Sequence, residues 1–319
     1  MHRRQFSSAA ALLATGAVPL ASLAQTVEFS KPIRIICPYP PGGDADVFSR
    51  RVADKLKDLL GQPGIVENRP GGAGLIAWQA LQASPPDGSS LLLINFTQAA
   101  APALFKSFPA DWYKQVTPLV RTHENGSILL ANPKAPFKTL DEMLAYAKAN
   151  PGKINIGVVG RQIEMTRFAK LAGIDLTQVP YKGIAEINTA LMSGDLHLSF
   201  NSIGFSRQLV ATGKVVALAV GTTQRNSGLP DIPAIEERVP GFRYSYWFGF
   251  VAPGKTPAPM ADKLSQALLT IVKSPEFAPY FRDQLSTVLA VGPKETAEFV
   301  ESETKVLMAA AREANITPE

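Results

Sequence analysis

Strand-like and helix-like segments alternate along nearly the whole chain, and this regularity limits the possible folds more than any other property of the sequence. Short apolar, β-branched runs, such as residues 33–37 and 90–95, are followed by segments whose apolar residues recur at helical spacing. Such alternation is typical of parallel sheets with helices on both faces. Because 319 residues exceed one ordinary core, the sequence predicts two α/β domains.

Several segments give specific predictions that a structure can check. The pattern predicts two separate strands at residues 116–121 and 127–131. It also predicts that the chain finishes with three helices, at about residues 259–273, 276–285 and 294–315.

The stretch from Pro32 to Asp46 joins a buried strand to a helix through a turn rich in proline and glycine. Gly42 and Gly43 allow bare backbone to approach a ligand, and Asp44 or Asp46 is predicted to cap the helix. A glycine turn before a free helix N-terminus favours anions, because the first-turn N–H groups and the helix dipole point at the same place. Many α/β proteins use such turns only to reverse the chain, so this motif alone leaves both interpretations open.

The first 24 residues have the composition of an export signal. Arg3 and Arg4 precede an apolar run, and small residues end the segment near Ala24. About 20 apolar residues are needed to span a bilayer, and the run here is shorter and contains Pro19. We therefore expect export to the periplasm, by either the general or the twin-arginine route, with cleavage near Ala24.

Composition excludes several classes of function. Removing residues 1–24 takes away two arginines and no acids, which lowers the net charge from +5 to +3 and gives no basis for nucleic-acid binding. The single cysteine, Cys37, allows no internal disulfide. Cys37, His123 and His197 are too dispersed to form a zinc site, and the sequence contains no Gly-x-Ser-x-Gly elbow, Walker loop or His-Glu-x-x-His motif. We expect no metal, no cofactor and no catalytic residue.

Several predicted strands end in glycine or small polar residues, which is where open α/β sheets bind ligands. Residues 72–77 satisfy the Gly-x-Gly-x-x-Ala pattern of dinucleotide folds, but they follow the second strand, and the next strand ends in Asn95 where an acidic residue would be needed. Many donor-rich strand ends without a nucleophile–base pair indicate binding without chemistry.

Five segments together resemble the Bug-type periplasmic solute receptors of tripartite tricarboxylate transporters. They are YPPGGDAD (39–46), VENRPGGAG (66–74), PDG (86–88), VPYKG (179–183) and WFGFVAP (247–253). The resemblance implies a type II periplasmic-binding-protein-like α/β fold with two doubly wound lobes and a ligand cleft between them. It further implies that residues 25–122 and 247–319 form lobe 1 and that residues 123–246 form lobe 2.

The family's ligands are usually carboxylates held by backbone N–H groups at two glycine turns, and this role falls here on Gly42, Gly43, Gly72, Ala73 and Gly74. The predicted ligand-binding set is Tyr39, Gly42, Gly43, Asp44, Gly72, Ala73, Gly74, Asn95, Thr97, Gly160, Arg161, Asn201 and Ser202.

The sequence departs from the family pattern in three places near the expected ligand: at Asp44, at Asn201, and in residues 156–161 (IGVVGR), which stand for the family's serine-rich glycine loop and have Glu164 where the family has a histidine. Arg161 can grip a carboxylate with two hydrogen bonds, whereas Asp44 would repel a carboxylate and could hold an amine or pair with Arg161. The alternative for Arg161 is an exposed charge without a ligand.

We therefore predict a monomeric, non-catalytic periplasmic receptor for a small organic acid, which serves integral-membrane transporter subunits or a sensor. Two alternatives remain at this stage. One is a secreted α/β enzyme that depends on His197, and the other is a nucleotide-binding module.

Overall fold

A computed structural model describes residues 28–159, 162–222, 224–226, 228–242, 244–313 and 316–318. Its strands are β1 (Ile33–Cys37), β2 (Gly64–Asn68), β3 (Ser90–Asn95), β4 (Val116–Ala131), β5 (Asn155–Val158), β6 (Thr177–Pro180), β7 (Leu198–Ser202), β8 (Val216–Val220), β9 (Ser245–Pro253) and β10 (Ser286–Val291). Its α-helices are α1 (Asp44–Leu60), α2 (Leu75–Gln82), α3 (Phe96–Leu104), α4 (Leu140–Ala149), α5 (Gln162–Ala172), α6 (Ile184–Ser193), α7 (Ile203–Ala211), α8 (Ala258–Lys273), α9 (Ala278–Asp283) and α10 (Pro293–Glu313). The predicted signal peptide, Gly160 and Arg161 lie outside the described residues.

The strands follow the order β2-β1-β3-β9-β4-β7-β5-β6, and β8 and β10 also pair with β4. The outer strands are parallel, as predicted: β1 pairs with β2 and β3, and β5 pairs with β6 and β7. The prediction of parallel sheets is wrong for the central strands, because β9 runs antiparallel to β3 and β4, and β4 runs antiparallel to β7. These central strands connect the two halves of the sheet and do not belong to strand–helix–strand units.

Strand β4 replaces the two separate strands that the sequence predicts. Its first part pairs with β9 and β10, and its last five residues pair with β7. The intervening residues 122–126 are polar, which hides the strand from a search for apolar runs. Thr122 and Asn125 are fully buried, and each donates a hydrogen bond inside the protein, to Phe248 O (3.0 Å) and to Asp44 Oδ2 (3.0 Å).

Helix α1 begins beside the end of β1 and packs its apolar face on the sheet. Phe48, Val52 and Leu56 are fully buried, and each stabilises the fold by about 1.5–3 kcal/mol relative to an exposed side chain. The helix ends at Gly61, whose φ of 74° lies in the left-handed region that glycine adopts easily. The prediction of an aspartate cap is wrong: Gly43 is the N-cap residue, and no side chain caps the helix.

The C-terminal segment differs from the prediction in one element. A strand, β10, lies between the second and third predicted helices and pairs with β4. Residues 286–291 (STVLAV) carry a β-branched, apolar signal for this strand, which the helical interpretation of the neighbouring segments overlooked. Within the described ranges, no helix combines the length and apolarity needed to cross a bilayer.

Candidate ligand-binding site

A cavity lies where the start of α1 faces the carboxyl ends of β5 and β7. From the first half of the sheet it is lined by Tyr39, Pro40, Gly43, Asp44, Ala45, Asn95, Thr97, Tyr246 and Phe248. From the other side it is lined by Gly157, Val158, Val159, Met165, Gly183, Ile184, Ala185, Glu186, Ile187, Phe200, Asn201, Ser202 and Phe205. The cavity thus separates the two halves of the molecule.

Many of the predicted site residues meet at this cavity. Seven of them line it: Tyr39, Gly43, Asp44, Asn95, Thr97, Asn201 and Ser202. Gly42, Gly72, Ala73 and Gly74 are not among the lining residues, and Gly160 and Arg161 lie outside the described part of the chain. The binding role of all thirteen residues stays a prediction.

The second glycine turn, residues 72–74, packs against α3. A methyl group placed on Gly74 would lie 2.2 Å from Gln98 Nε2, so the turn needs glycine there to accommodate the helix side chain. Gly74 also has a φ of 88°, which most other residues avoid. This tight packing explains the presence of glycine at position 74 even if the residue contacts no ligand.

The uncapped start of α1 forms one wall of the cavity. Gly43 is the N-cap, and its carbonyl accepts the first helical bond, from Val47 N (3.0 Å). The N–H groups of the first turn receive no side-chain cap and add their dipoles to that of the helix, so this wall attracts negative charge. Although burial raises the pKa of Asp46, hydrogen bonds from Arg50, the Gly42 N–H group and Asn68 outweigh it, and the pKa is lowered.

Three polar residues form a fixed group beside this helix end. The Tyr39 hydroxyl donates to Asn95 Oδ1 (2.9 Å) and lies 2.6 Å from Thr97 Oγ1. Asn95 Oδ1 also accepts from Thr97 N (2.9 Å), while Gln98 Oε1 accepts from Asn95 N (2.9 Å). The capping box of α3 therefore holds the side chain of Asn95 in one orientation at the cavity.

Asp44 faces the cavity but is almost fully buried, with 9% of its surface exposed. Its carboxyl group accepts hydrogen bonds from Asn125 Nδ2 (3.0 Å) and the Tyr280 hydroxyl (3.1 Å). Burial raises the pKa of Asp44 above its usual value of 3.8, and hydrogen bonds from Tyr280, Ser202 and Asn125 only partly oppose this. A raised pKa favours the uncharged form of this carboxyl group, which repels an anionic ligand less than a carboxylate does.

Asn201 lies on the opposite wall, at the end of β7, and is 1% exposed. Its Nδ2 donates to Asn188 Oδ1 (2.6 Å). Within the described part of the chain, no donor reaches Asn201 Oδ1, which is buried. A ligand hydroxyl or amine could satisfy this oxygen.

The groups on which an enzyme would depend lie elsewhere. His197 is bound to the backbone beside β5, where its Nδ1 accepts from Asn155 N (3.1 Å). His123 is fully buried among aromatic rings, and burial lowers its pKa to about 3. Cys37 is fully buried, and burial raises its pKa to about 11, so its thiol carries its proton. None of these three residues lines the cavity.

Sequence reasoning missed the apolar wall of the cavity. Val159, Ile184 and Phe205 line it and are each half-buried. Ile184 opens α6 directly after Gly183, so an apolar residue at the start of a helix after a strand end was the available signal. Predicting ligand contacts only from polar residues and glycines excluded this wall.

The fold and the cavity between its two halves define a periplasmic binding protein. The structure of the periplasmic binding protein BugD matches with a TM-score of 0.86 at 26% sequence identity, over 91% of this chain and 99% of that chain. The structure of R. palustris Rpa4515 with adipate has the same TM-score at 25% identity, over 91% of this chain and 99% of that chain.

Sequence comparisons identify the family. Protein BugT of Bordetella pertussis is 29% identical over 291 residues, which cover 89% of each chain. The model of the tripartite tricarboxylate transporter family receptor (TctC) matches residues 48–315, and the chain belongs to this family. The predicted family, the periplasmic-binding-protein fold and the function as a solute receptor are therefore confirmed.

Proposed function

We propose that this chain captures a small organic carboxylate in the cavity and presents it to integral-membrane transporter subunits or to a sensor. The observation that carries this proposal is the uncapped N-terminus of α1 at the cavity wall. Such a helix end binds anions through its N–H groups and its dipole. The adipate complex of the R. palustris relative supports a carboxylate as the ligand class.

The proposed lobes are residues 25–122 with 247–319, and residues 123–246. The strand pairing supports this division, because β4 and β9 lie between the β2-β1-β3 group and the β7-β5-β6 group. The ligand would be enclosed when the lobes approach each other. We further propose that the protein acts as a monomer.

The proposed binding set consists of the lining residues named above together with Arg161. Gly43 and the first turn of α1 would receive the carboxylate, and Asn95, Thr97 and Asn201 would select the rest of the ligand. Arg161 precedes α5, which supplies Met165 to the cavity wall. A guanidinium group there would bind a carboxylate through two parallel hydrogen bonds.

The proposed site of action is the periplasm, after cleavage near Ala24. The composition of the first 24 residues supports this cleavage point. Sequencing the N-terminus of the protein recovered from the periplasm tests it, and an N-terminus well beyond residue 25 would contradict it.

Thermal unfolding of the protein beginning at Gln25, with a panel of carboxylates, amino acids and aromatic acids, tests the function. A ligand that binds only the native state adds about 2.7 kcal/mol of stability at 100 times its Kd, which shifts the melting temperature measurably. The proposal expects at least one carboxylate to do so. No shift with any carboxylate, or turnover of a bound one, would contradict it.

A pair of arginine variants tests the proposed contact. We expect Arg161→Ala to weaken carboxylate binding by at least about tenfold, because a charged hydrogen-bond pair is lost. Arg167→Ala is the matched control, since Arg167 lies on α5, does not line this cavity and donates to Gly241 O (2.7 Å). Calorimetric affinities that are equal for the two variants would remove Arg161 from the site.

A further inference from the structure

The Oδ1 atom of Asn201 lies in the cavity wall without a hydrogen bond. Asn201 is near the end of β7, lines the cavity and is 1% exposed. Its Nδ2 is already used, since it donates to Asn188 Oδ1 on α6 (2.6 Å). None of the described residues donates to Asn201 Oδ1. Buried polar atoms in folded proteins nearly always have a partner, so this oxygen indicates a donor that comes from outside the chain.

The acceptor atoms on the opposite wall differ from Asn201 in this respect. Asn95 Oδ1 accepts two hydrogen bonds from within the chain. The carboxyl group of Asp44 also accepts two, from side chains on β4 and α9. These acceptors have their donors inside the protein, whereas Asn201 Oδ1 remains available for a ligand.

The donors of the cavity suit carboxylates, whether a ligand carries one or several. Helices α1, α6 and α7 begin at the cavity with the N-cap residues Gly43, Gly183 and Ser202, and none has a side-chain cap. The N–H groups and dipoles of these helix starts attract negative charge. A carboxylate has only acceptor oxygens, so it can bind there but cannot donate to Asn201. A ligand whose only polar groups are carboxylates would therefore leave Asn201 Oδ1 buried and unpaired, which weakens binding.

We propose that the ligand is an organic acid that also carries a hydroxyl or amino group, and that Asn201 selects for this group. The carboxylates bind at the helix starts, and the hydroxyl or amino group donates a hydrogen bond to Asn201 Oδ1. Both groups supply the same donor chemistry, and a comparison of hydroxy acids with amino acids distinguishes them. The inference rests on the receptor function proposed above and assigns a residue that determines its specificity.

Acids that differ in one substituent test the inference by calorimetry on the protein beginning at Gln25. The first series is succinate, malate and aspartate; the second is propionate, lactate and alanine; the third is 3-phenylpropionate, 3-phenyllactate and phenylalanine. Within each series the carbon beside a carboxylate carries hydrogen, a hydroxyl group or an ammonium group, and both enantiomers of the chiral members are used. We expect the hydroxy or the amino member of at least one series to bind at least about tenfold more tightly than the unsubstituted member, which leaves a buried acceptor unpaired.

The outcomes separate this inference from the proposed function. If the unsubstituted acids bind as tightly as their hydroxy and amino counterparts, or if the carboxylate that binds most tightly has no donor group, the inference is overturned and the receptor function stands. If an acid outside the three series binds, its analogue without the donor takes the place of the unsubstituted member. If no carboxylate binds, the proposed function fails and the inference fails with it.

A substitution on β7 assigns the contact to Asn201. Asn201→Leu keeps a side chain of similar size and removes the acceptor, so the tightest donor-bearing acid should lose at least about tenfold in affinity. The analogue without the donor should change by less than about threefold, so the preference between the two acids disappears. A residue with a merely structural role would weaken both acids alike.

Ser199→Ala is the matched control for this substitution. Ser199 is fully buried two residues earlier on the same face of β7 and does not line the cavity. The variant should keep the preference for the donor-bearing acid within about twofold of that of the unaltered protein.

A second variant keeps the inference testable if Asn201→Leu fails to fold. Asn201→Ala removes the same oxygen without filling the space, and it should abolish the same preference. An equal loss of affinity for both acids would mean that Asn201 turns its Nδ2 to the ligand and binds an acceptor, which overturns the inference. An unchanged preference in a folded variant overturns it as well.

Discussion

Asp44 connects parts of the chain that are far apart in sequence. Its carboxyl group accepts from Asn125 on β4 and from Tyr280 on α9, and Asn125 Oδ1 in turn accepts from the Ser286 hydroxyl on β10. Because the Asp44 carboxyl group is buried, these donors supply the hydrogen bonds that water would otherwise provide. A residue that the sequence presents as a helix cap is therefore part of an internal polar network.

Asp44→Asn should reduce the dependence of stability on pH. Since the pKa of Asp44 is raised in the folded protein, its contribution is fully present below the unfolded pKa of 3.8 and is lost as pH rises towards the folded pKa. Each pH unit in that window costs up to about 1.4 kcal/mol. An asparagine at position 44 can accept from Asn125 and donate to the Tyr280 oxygen, so the network is preserved.

Urea unfolding at pH 4.5, 6.0 and 7.5 measures this effect. The free energy of unfolding of Asp44→Asn, relative to that of the unaltered protein, should increase with pH. Asp54→Asn is the control, because Asp54 is exposed on the same helix. Parallel pH profiles for the unaltered protein and Asp44→Asn would contradict the prediction.

His123 should change the pH dependence of stability in the opposite direction. Its ring stacks on Phe248 at a centroid distance of 4.9 Å, and burial lowers its pKa to about 3 from about 6.5. The unfolded chain therefore binds more protons between these values, and stability is lost as pH falls from about 6.5 towards 3. His123→Phe removes this titration and leaves Thr122 bound to Phe248 O.

We expect the loss of unfolding free energy between pH 6.5 and 4 to be smaller in His123→Phe than in the unaltered protein, by up to about 1.4 kcal/mol per pH unit. Nuclear magnetic resonance of the imidazole should show His123 neutral across this range. A titration of its ring near pH 6.5 in the folded protein would disprove the assignment.

At the scale of single elements, the start of α1 is the part of the site that the sequence defines best. The glycine turn before an amphipathic helix predicts a helix N-terminus at the ligand site, and the structure places Gly43 there at the cavity. The wrong assignment of the cap arose because Asp44 and Asp46 are both common capping residues. Asp44 does not act as a cap because its side chain is buried and bonded to Asn125 and Tyr280, which are distant in sequence.

Gly43→Ser should weaken ligand binding while it stabilises the helix slightly. The φ of Gly43 is −85°, and a methyl group there would lie 3.7 Å from Ile184, so a side chain fits. The serine hydroxyl oxygen would accept hydrogen bonds from the N–H groups that we propose for the carboxylate, and serine improves on glycine as a cap by only a few tenths of a kcal/mol. Affinity should fall by about tenfold with no loss of melting temperature.

Gly292→Ser provides the matched control for that experiment. Gly292 precedes α10, and its carbonyl accepts from Thr296 N (3.1 Å), as the Gly43 carbonyl accepts from Val47 N. This helix end does not line the cavity. Equal affinities of the two serine variants would show that the start of α1 does not hold the ligand.

The strands and helices were predictable wherever periodicity was regular, and the exceptions have physical causes. Strand β4 continues through polar residues because Thr122 and Asn125 find partners inside the protein. Those partners, Phe248 and Asp44, are distant in sequence, so no local pattern reports them. The glycine turn before α1 was predictable because its sequence signature is distinctive, whereas the apolar wall has only the weaker signal of an apolar residue at the start of α6.

At the scale of the molecule, the two sides of the cavity touch. A methyl group placed on Gly183, beside α6, would lie 2.9 Å from Pro40 Cδ in the first glycine turn. On the other side, a methyl group on Gly204 would lie 2.1 Å from Gln284 Cα, so the start of α7 packs directly against the backbone of Gln284. The halves approach closely where glycine leaves room.

Gly183→Ala should weaken binding by preventing this approach. The φ of Gly183 is −168°, which any residue adopts, so the effect is steric and arises from the contact with Pro40. Overpacking of this kind costs about 1–3 kcal/mol, which lowers the affinity by about fivefold or more. Calorimetry measures the affinity, and small-angle scattering with ligand should show a more open particle than the unaltered protein.

Gly292→Ala is the control for the added methyl group. Its nearest neighbour would be Glu295 Oε2 at 3.7 Å, an ordinary contact. Its affinity and scattering should match those of the unaltered protein. A Gly183→Ala variant with unchanged affinity would mean that the contact with Pro40 does not limit closure.

The pairing of β4 has a consequence for the order of folding. The first half of β4 meets β9 and β10, which begin at Ser245 and Ser286, and β3 also needs β9 beside it. In a nascent chain that stops before Ser245, β3 lacks its neighbour β9, and β4 lacks both β9 and β10. Contacts between such distant segments form slowly, because a long loop must close first. The central part of the sheet can therefore be completed only when the C-terminal quarter of the chain is available.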